Sequence, residues 1–154
     1  MVLFMKLILE EKLEKAFSCE PLAKNKDQFF FLKSLEQGKV NDWFDKIKFV
    51  LKKYPKFYKF LIYTISPVYV HFYSNVRKFV KSFSQDDLVL NIGSGASDVF
   101  SGTVNVDLFP YEHVNIVCDA NRLPFKDQSC DGILSIALLE HVPNPRKIVS
   151  EMRR

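Results

Sequence analysis

The 154-residue sequence has no apolar run of the roughly 20 residues that a membrane-spanning helix needs. Its nearest approach, "FYKFLIYTISPVYVHFY" at residues 57–73, is interrupted by Lys59, Pro67 and His71. No transmembrane segment is therefore expected. The N-terminal "MVLFMKLILEEKLEK" is apolar only briefly, carries Lys6 inside the run, and lacks the small-residue cleavage site of a secretory signal, so a cytoplasmic location is the default expectation. Cysteine is scarce: Cys19, Cys118 and Cys130 are an odd number with no close pair of the kind that makes a metal knuckle or a redox motif. They read as reduced, buried thiols, and no metal site is expected. Acid is missing from residues 46–83, which hold nine Lys/Arg and no Asp/Glu, so the remainder of this +4 chain is net acidic and the middle segment is a distinct electrostatic object.

What is present is the composition of an ordinary globular domain, 47% hydrophobic and 26% charged, enough to bury one core. Residues 1–17 place Leu3, Phe4, Leu7, Ile8 and Leu13 among Glu and Lys, the pattern of a short amphipathic helix. The "FFFL" at residues 29–32 reads as a brief strand or a buried turn. Helical spacing recurs over Trp43–Tyr54, over Lys56–Ile65 between two prolines, and over Val68–Phe83, where Phe72, Val76, Phe79, Val80 and Phe83 form an apolar stripe. Residues 1–83 are thus expected to be a mostly helical, basic and aromatic extension.

From residue 84 the texture changes. Leu88–Ile92, Thr103–Val106, Val114–Cys118 and Gly132–Ile136 are short runs apolar on both faces, as buried parallel strands are. Their alternation with turns and short helices predicts an α/β layer architecture over residues 84–154. In "NPRKIVSEMRR" Asn144 is an N-cap, Pro145 occupies the first helical position, and Ile148, Val149 and Met152 fall on one face.

Gly93 and Gly95 follow the first of these runs, where a tight turn lets backbone approach a ligand. By themselves they are as readily a plain structural turn. Asp107 and Asp119 add weight, because each ends a predicted strand, where open α/β sheets bind ligands. The first carboxylate can accept ribose hydroxyls and the second the exocyclic amine of adenine, with the backbone N–H of Ala120 facing a ring nitrogen. Capping a turn is the competing role for either. A dinucleotide is disfavoured, since Asp98 stands where the third glycine of that fingerprint should receive a pyrophosphate, and 14 residues separate Gly93 from Asp107 instead of about 20. A cofactor with adenosine and no phosphate fits better.

The segments "LVLNIGSGAS", "VNVDLFP", "VCDANRLPF" and "CDGILSIALLEHVPNPRKIVSEMRR" resemble, in order, the motifs of the class I S-adenosylmethionine-dependent methyltransferases, in particular the group with a leucine-glutamate-histidine signature after the fourth strand. The resemblance covers residues 86–154. It implies the N-terminal half of a Rossmann-like, mostly parallel sheet that binds S-adenosyl-L-methionine. Gly93, Ser94 and Gly95 would line its methionine part, with Asn91 reaching its ammonium; Asp107 and Leu108 would hold the ribose, Asp119 and Ala120 the adenine, and Ile136, Ala137 and Leu138 the sulfonium side. Asn91 replaces the usual acid and brings no charge, Ser97 replaces the motif's last glycine, and the stretch after Gly95 is short for a helix, all of which imply weaker cofactor binding. Glu140 and His141 read either as an acid–base pair or as polar contacts of a short helix, so the catalytic residues are unassigned.

A seven-stranded sheet is usual in this family, so four strands imply a chain truncated after the fourth and silent in methyl transfer. The methyl acceptor is unknown. The alternative is an inactive remnant or binding module that acts through its basic segment, with 11 of the 22 aromatic residues between Lys46 and Phe83, at a membrane surface or another anionic partner. A helical lid with solvated lysines is preferred for that segment, and nucleic acid is the less favoured partner.

Overall fold

In a computed structural model of the chain, residues 2–25, 28–32, 67–95 and 100–154 are described. The elements are helix α1 (Val2–Ala16), strands β1 (Ala23–Asn25) and β2 (Gln28–Phe30), helix α2 (Pro67–Lys81), strands β3 (Val89–Ile92), β4 (Val104–Asp107), β5 (Ile116–Val117) and β6 (Gly132–Leu134), a 3-10 turn at Leu139–His141, and helix α3 (Pro145–Arg153). The helices expected over Trp43–Tyr54 and Lys56–Ile65 lie outside the described residues.

The six strands form one sheet in the order β1-β2-β5-β4-β3-β6. Only the β1–β2 hairpin is antiparallel; β2–β5, β5–β4, β4–β3 and β3–β6 are all parallel. This is the mostly parallel α/β sheet of the sequence reading. Two strands are additional to the expected four, and both come from the N-terminal region. Phe29 and Phe30 pair with Ile116 and Val117, which places residues 28–30 in the same sheet as residues 89–134. The chain accordingly forms two compact units, residues 1–35 with 83–154, and residues 36–82.

The sheet's first face is built by alternation. Leu88, Leu90 and Ile92 share one side of the sheet with Val104 and Val106, Ile116 and Cys118, and bury against Leu13 and Ala16 of α1. Phe17 closes this core, with its ring 5.3 Å from Phe29, 4.9 Å from Phe31 and 5.7 Å from Phe125. Such aromatic pairs contribute about 0.5–1.5 kcal/mol each beyond their buried area. The buried stripe of α1 runs through Leu9, Leu13 and Ala16, whereas Ile8, assigned to it from the sequence, is exposed.

One connection replaces a helix with a pegged loop. A parallel strand is normally reached through a crossover of a dozen or more residues, yet residues 108–115 join β4 to β5 directly. The loop's backbone groups need partners, and side chains supply them. Asn105 donates from Nδ2 to the His113 carbonyl at 3.2 Å, Asn115 accepts the Asn105 N–H at 2.9 Å, and Gln28 donates to the carbonyls of Tyr111 and Val114 at 2.7 and 2.8 Å. Asn91 completes the row by donating to Asn105 Oδ1 at 3.0 Å across the β3–β4 register.

At the C-terminus Asn144 caps α3 by accepting the Lys147 N–H at 3.2 Å, with Pro145 in the first turn. Ile148 is fully buried and Met152 packs on the core, but Val149 is 47% exposed, so the buried face of α3 is narrower than its apolar face. Arg154 ties the helix end to the chain before β6, donating to the carbonyls of Phe125 and Leu123 and pairing with Asp127 and Glu151. In the second unit, α2 starts at Pro67 and matches the expected helix, but Phe72 and Phe79 of its predicted stripe are 45% and 42% exposed while Val80 is buried. Among the described residues no helix is long and apolar enough to cross a membrane. Not all the cysteines are buried, since Cys19 is exposed and Cys130 half-buried; all three are free thiols. Burial, aided by the charges of Asp119 and Asp107, pushes the Cys118 thiol up to about 12.

Candidate cofactor site

The strand order reverses at β3, which has β4 on one side and β6 on the other. Such a reversal is a topological switch point, and open α/β sheets usually bind ligands beyond the carboxyl ends of the strands there. The turn Gly93–Gly95 opens directly from β3 into this position.

That turn is held by β4. The N–H groups of Gly93 and Ser94 donate to the Val106 carbonyl at 2.8 and 3.2 Å, and the Gly95 N–H donates to Asp107 Oδ2 at 2.7 Å. Gly93 and Gly95 have φ of +74° and +68°, a conformation that glycine adopts without the penalty of a Cβ. All three N–H groups of this turn are therefore used internally. A pyrophosphate needs free backbone donors, and here one donor already faces a carboxylate.

Asp107 ends β4, is 8% exposed, and accepts a second bond on Oδ1 from the Phe109 N–H at 3.0 Å. A carboxylate offers about four lone-pair sites, so each oxygen retains capacity for a ligand hydroxyl. Leu108 follows with its side chain 42% exposed. Asp119 lies two residues beyond β5, with Oδ1 accepting from both the N–H and the side-chain amide of Asn121 at 2.8 and 2.9 Å. Its Oδ2 has no partner among the described residues, and Ala120 beside it is half-buried. The capping role weighed against Asp119 is thus real, but it occupies one oxygen only.

Ile136, Ala137 and Leu138 follow β6. Ala137 takes a left-handed φ of 55°, uncommon for a residue with a Cβ, and Leu138 packs on the Cα of Gly93. The segment is thereby brought to the glycine turn. Asn91 is buried and points its amide at Asn105. Two hydroxyls at these strand ends, Ser94 Oγ in the turn and Ser135 Oγ after β6, are buried without a hydrogen-bond partner. Buried hydroxyls are normally satisfied, so each of these leaves hydrogen-bonding capacity at a strand end. The space where a Gly95 Cβ would project is open to 4 Å. Glu140 and His141 lie exposed in the 3-10 turn with no side-chain partner among the described residues.

Sequence reasoning missed His113, Tyr111 and Ser135. His113 Nε2 lies 2.9 Å from the Gly95 carbonyl, and the Tyr111 ring stacks on it at 6.2 Å and 6°. Burial, with the Asp107 charge second, raises the Tyr111 phenol. The signal that could have found this group was three asparagines, Asn91, Asn105 and Asn115, inside or beside apolar runs. A separate cavity of about 350 Å³ lies at the other end of β6, bordered by Phe125, Cys130, Ile133, Glu151, Met152 and Arg154. None of the strand-end residues line it. Among the described residues no cluster of His, Cys, Asp or Glu could hold a metal ion.

A mostly parallel sheet with a glycine turn and two carboxylates at the ends of neighbouring strands is a Rossmann-like α/β arrangement. Residues 91–154 match the family described as a methyltransferase domain. No curated protein and no solved structure matches the chain.

Proposed function

We propose that the strand-end site binds S-adenosyl-L-methionine and that the chain supplies the cofactor-binding half of a methyltransferase. The observation that carries this reading is the convergence of Gly93–Gly95, Asp107 and Asp119 from β3, β4 and β5, beside two buried hydroxyls that have no partner of their own. Asp107 and Leu108 hold the ribose, Asp119 and Ala120 the adenine, Ser94 and Gly95 the methionine part, and Ile136–Leu138 the sulfonium side. Asn91 is engaged with Asn105 and contributes to the turn's foundation.

Bound there, the cofactor supplies an electrophilic methyl group on sulfur. The protein's own contribution is orientation and exclusion of water, which suffice for much of the acceleration in an in-line transfer. Glu140 and His141 are exposed, so no general base is assigned to either. The methyl acceptor is not specified by these residues.

Asp119→Ala removes one charge-assisted acceptor with a free oxygen and should weaken binding of S-adenosylhomocysteine by about 1–3 kcal/mol, the range for hydrogen bonds to charged groups. Isothermal titration of both proteins measures this. Equal affinity would remove Asp119 from the site.

A second reading assigns action at an anionic surface to the basic segment. Exposed His71, Arg77, Lys78 and Lys81 on α2, beside the exposed Phe72 ring, favour it. The two readings use different residues and are compatible.

A further inference from the structure

Gly95 is gripped at both of its backbone groups by the chain that follows β3's neighbour. Its N–H donates to Asp107 Oδ2 at 2.7 Å, and its carbonyl lies 2.9 Å from His113 Nε2. A carbonyl only accepts, so Nε2 must carry the proton and the ring must be the Nε2–H tautomer or the imidazolium. The ring is oriented by the parallel face of Tyr111, whose ring plane is tilted from it by only 6°. Its own backbone is fixed in turn, since the His113 carbonyl accepts from Asn105 Nδ2, and Asn105 Oδ1 accepts from Asn91. A continuous hydrogen-bonded path therefore runs from β3 through β4 and the 108–115 loop back to the residue that ends the glycine turn.

This grip is needed because of what Gly95 lacks. With φ of +68°, no side chain and no atom of the described residues within 4 Å of its Cβ direction, it is held among the described residues by its hydrogen bonds. Its two hydrogen bonds are the restraints the structure shows.

We infer that His113 is a positioning residue for cofactor binding, acting through the Gly95 carbonyl to fix the open end of the glycine turn, with Tyr111 as the plate that sets its ring. The inference rests on the cofactor reading above, and it assigns to the loop between β4 and β5 a role in presenting the turn. His113 acts on the cofactor by preorganisation, lowering the ordering cost that binding would otherwise carry.

The test compares the full chain with His113→Phe, which keeps a flat ring against Tyr111 and removes the donor, and with His113→Gln, whose side-chain amide restores a donor. S-adenosylhomocysteine affinity is measured by calorimetry and stability by thermal melting. His113→Phe should bind about fivefold to tenfold more weakly, the size of one neutral hydrogen bond, while melting close to wild type, and His113→Gln should recover most of the loss. Nitrogen-15 spectra of the neutral wild-type imidazole should show the Nε2-protonated tautomer. Wild-type affinity in His113→Phe, a loss that His113→Gln does not rescue, or an Nδ1-protonated ring would overturn the inference while leaving the cofactor reading standing. Failure of the wild-type chain to bind S-adenosylhomocysteine would overturn both.

Discussion

Asp107→Ala should lower the affinity for S-adenosylhomocysteine at least about a hundredfold and lower stability by roughly 3–6 kcal/mol, the combined scale of two lost hydrogen bonds to a charged group. Both losses come from one carboxylate. Its two oxygens accept the Gly95 and Phe109 N–H groups at 2.7 and 3.0 Å in a site 8% exposed, so truncation leaves two donors without partners. It also removes the charge at the end of β4 that the proposed site uses for the ribose. Asp107→Asn separates the contributions. The amide has one oxygen, so one of the two backbone donors must face an NH₂ group and part of the stability is lost, while ribose recognition falls with the charge. Chemical denaturation and calorimetry on the three proteins read the two quantities independently. Lowered stability with unchanged affinity would make Asp107 a purely structural residue.

The two glycines of the turn should respond in opposite ways. A Cβ at Gly93 would lie 2.9 Å from Leu138 Cβ and 2.9 Å from its Cδ1, closer than carbon atoms pack, at a φ of +74°. Leu138 Cβ is tied to its backbone, where Ala137 is already left-handed, so the clash cannot be relieved by rotating a side-chain tip. Gly93→Ala combines a left-handed alanine, about 1–2 kcal/mol, with overpacking of about 1–3 kcal/mol, and should destabilise the protein by about 3 kcal/mol. Gly95 has the same backbone sign and open space in front of it. Gly95→Ala should therefore cost only about 1–2 kcal/mol of stability, yet it places a methyl group in the proposed site and should reduce cofactor affinity more than fivefold. Melting and binding curves of the pair check the contrast. Equal destabilisation would mean that the Leu138 contact is unimportant, and unchanged affinity in Gly95→Ala would move the ligand away from this turn.

How far the sequence foretold this arrangement depends on the kind of signal each element leaves. The four central strands were legible because a buried parallel strand reads as an unbroken apolar run, and α3 because Asn144–Pro145 marks a helix start chemically. Asp107 and Asp119 were legible because their strands were. β1 was hidden: three residues, Ala23–Asn25, all exposed, carry no periodicity and exist only through pairing with Phe30, Phe29 and Gln28. Residues 1–83 read as mostly helical because helical spacing recurs between residues 43 and 83, of which 43–66 lie outside the described residues. The buried faces of α1 and α3 leave out Ile8 and Val149, because adjacent apolar residues differ by about 100° around a helix and composition alone does not choose between them. The asparagine row looked like polar interruptions of strands. Its purpose shows only once the loop at residues 108–115 is seen crossing without a helix, needing donors and acceptors that Asn105, Asn115 and Gln28 provide. His113 belongs to the same blind spot, since nothing near it in sequence reveals that it meets Gly95, 18 positions earlier.

The central claim, that an adenosyl cofactor sits at the carboxyl ends of β3, β4 and β5, is tested most directly by titrating the isotopically labelled chain with S-adenosylhomocysteine and following each backbone amide by nuclear magnetic resonance. The account predicts saturable shifts at Gly93, Ser94, Gly95, Leu108 and Ala120, with Ser135 and Leu138 moving at the same ligand concentration, because the proposed site is formed by these strand ends. Shifts confined to Cys130, Ile133, Met152 and Arg154 would place the ligand in the cavity at the opposite end of β6 and contradict it.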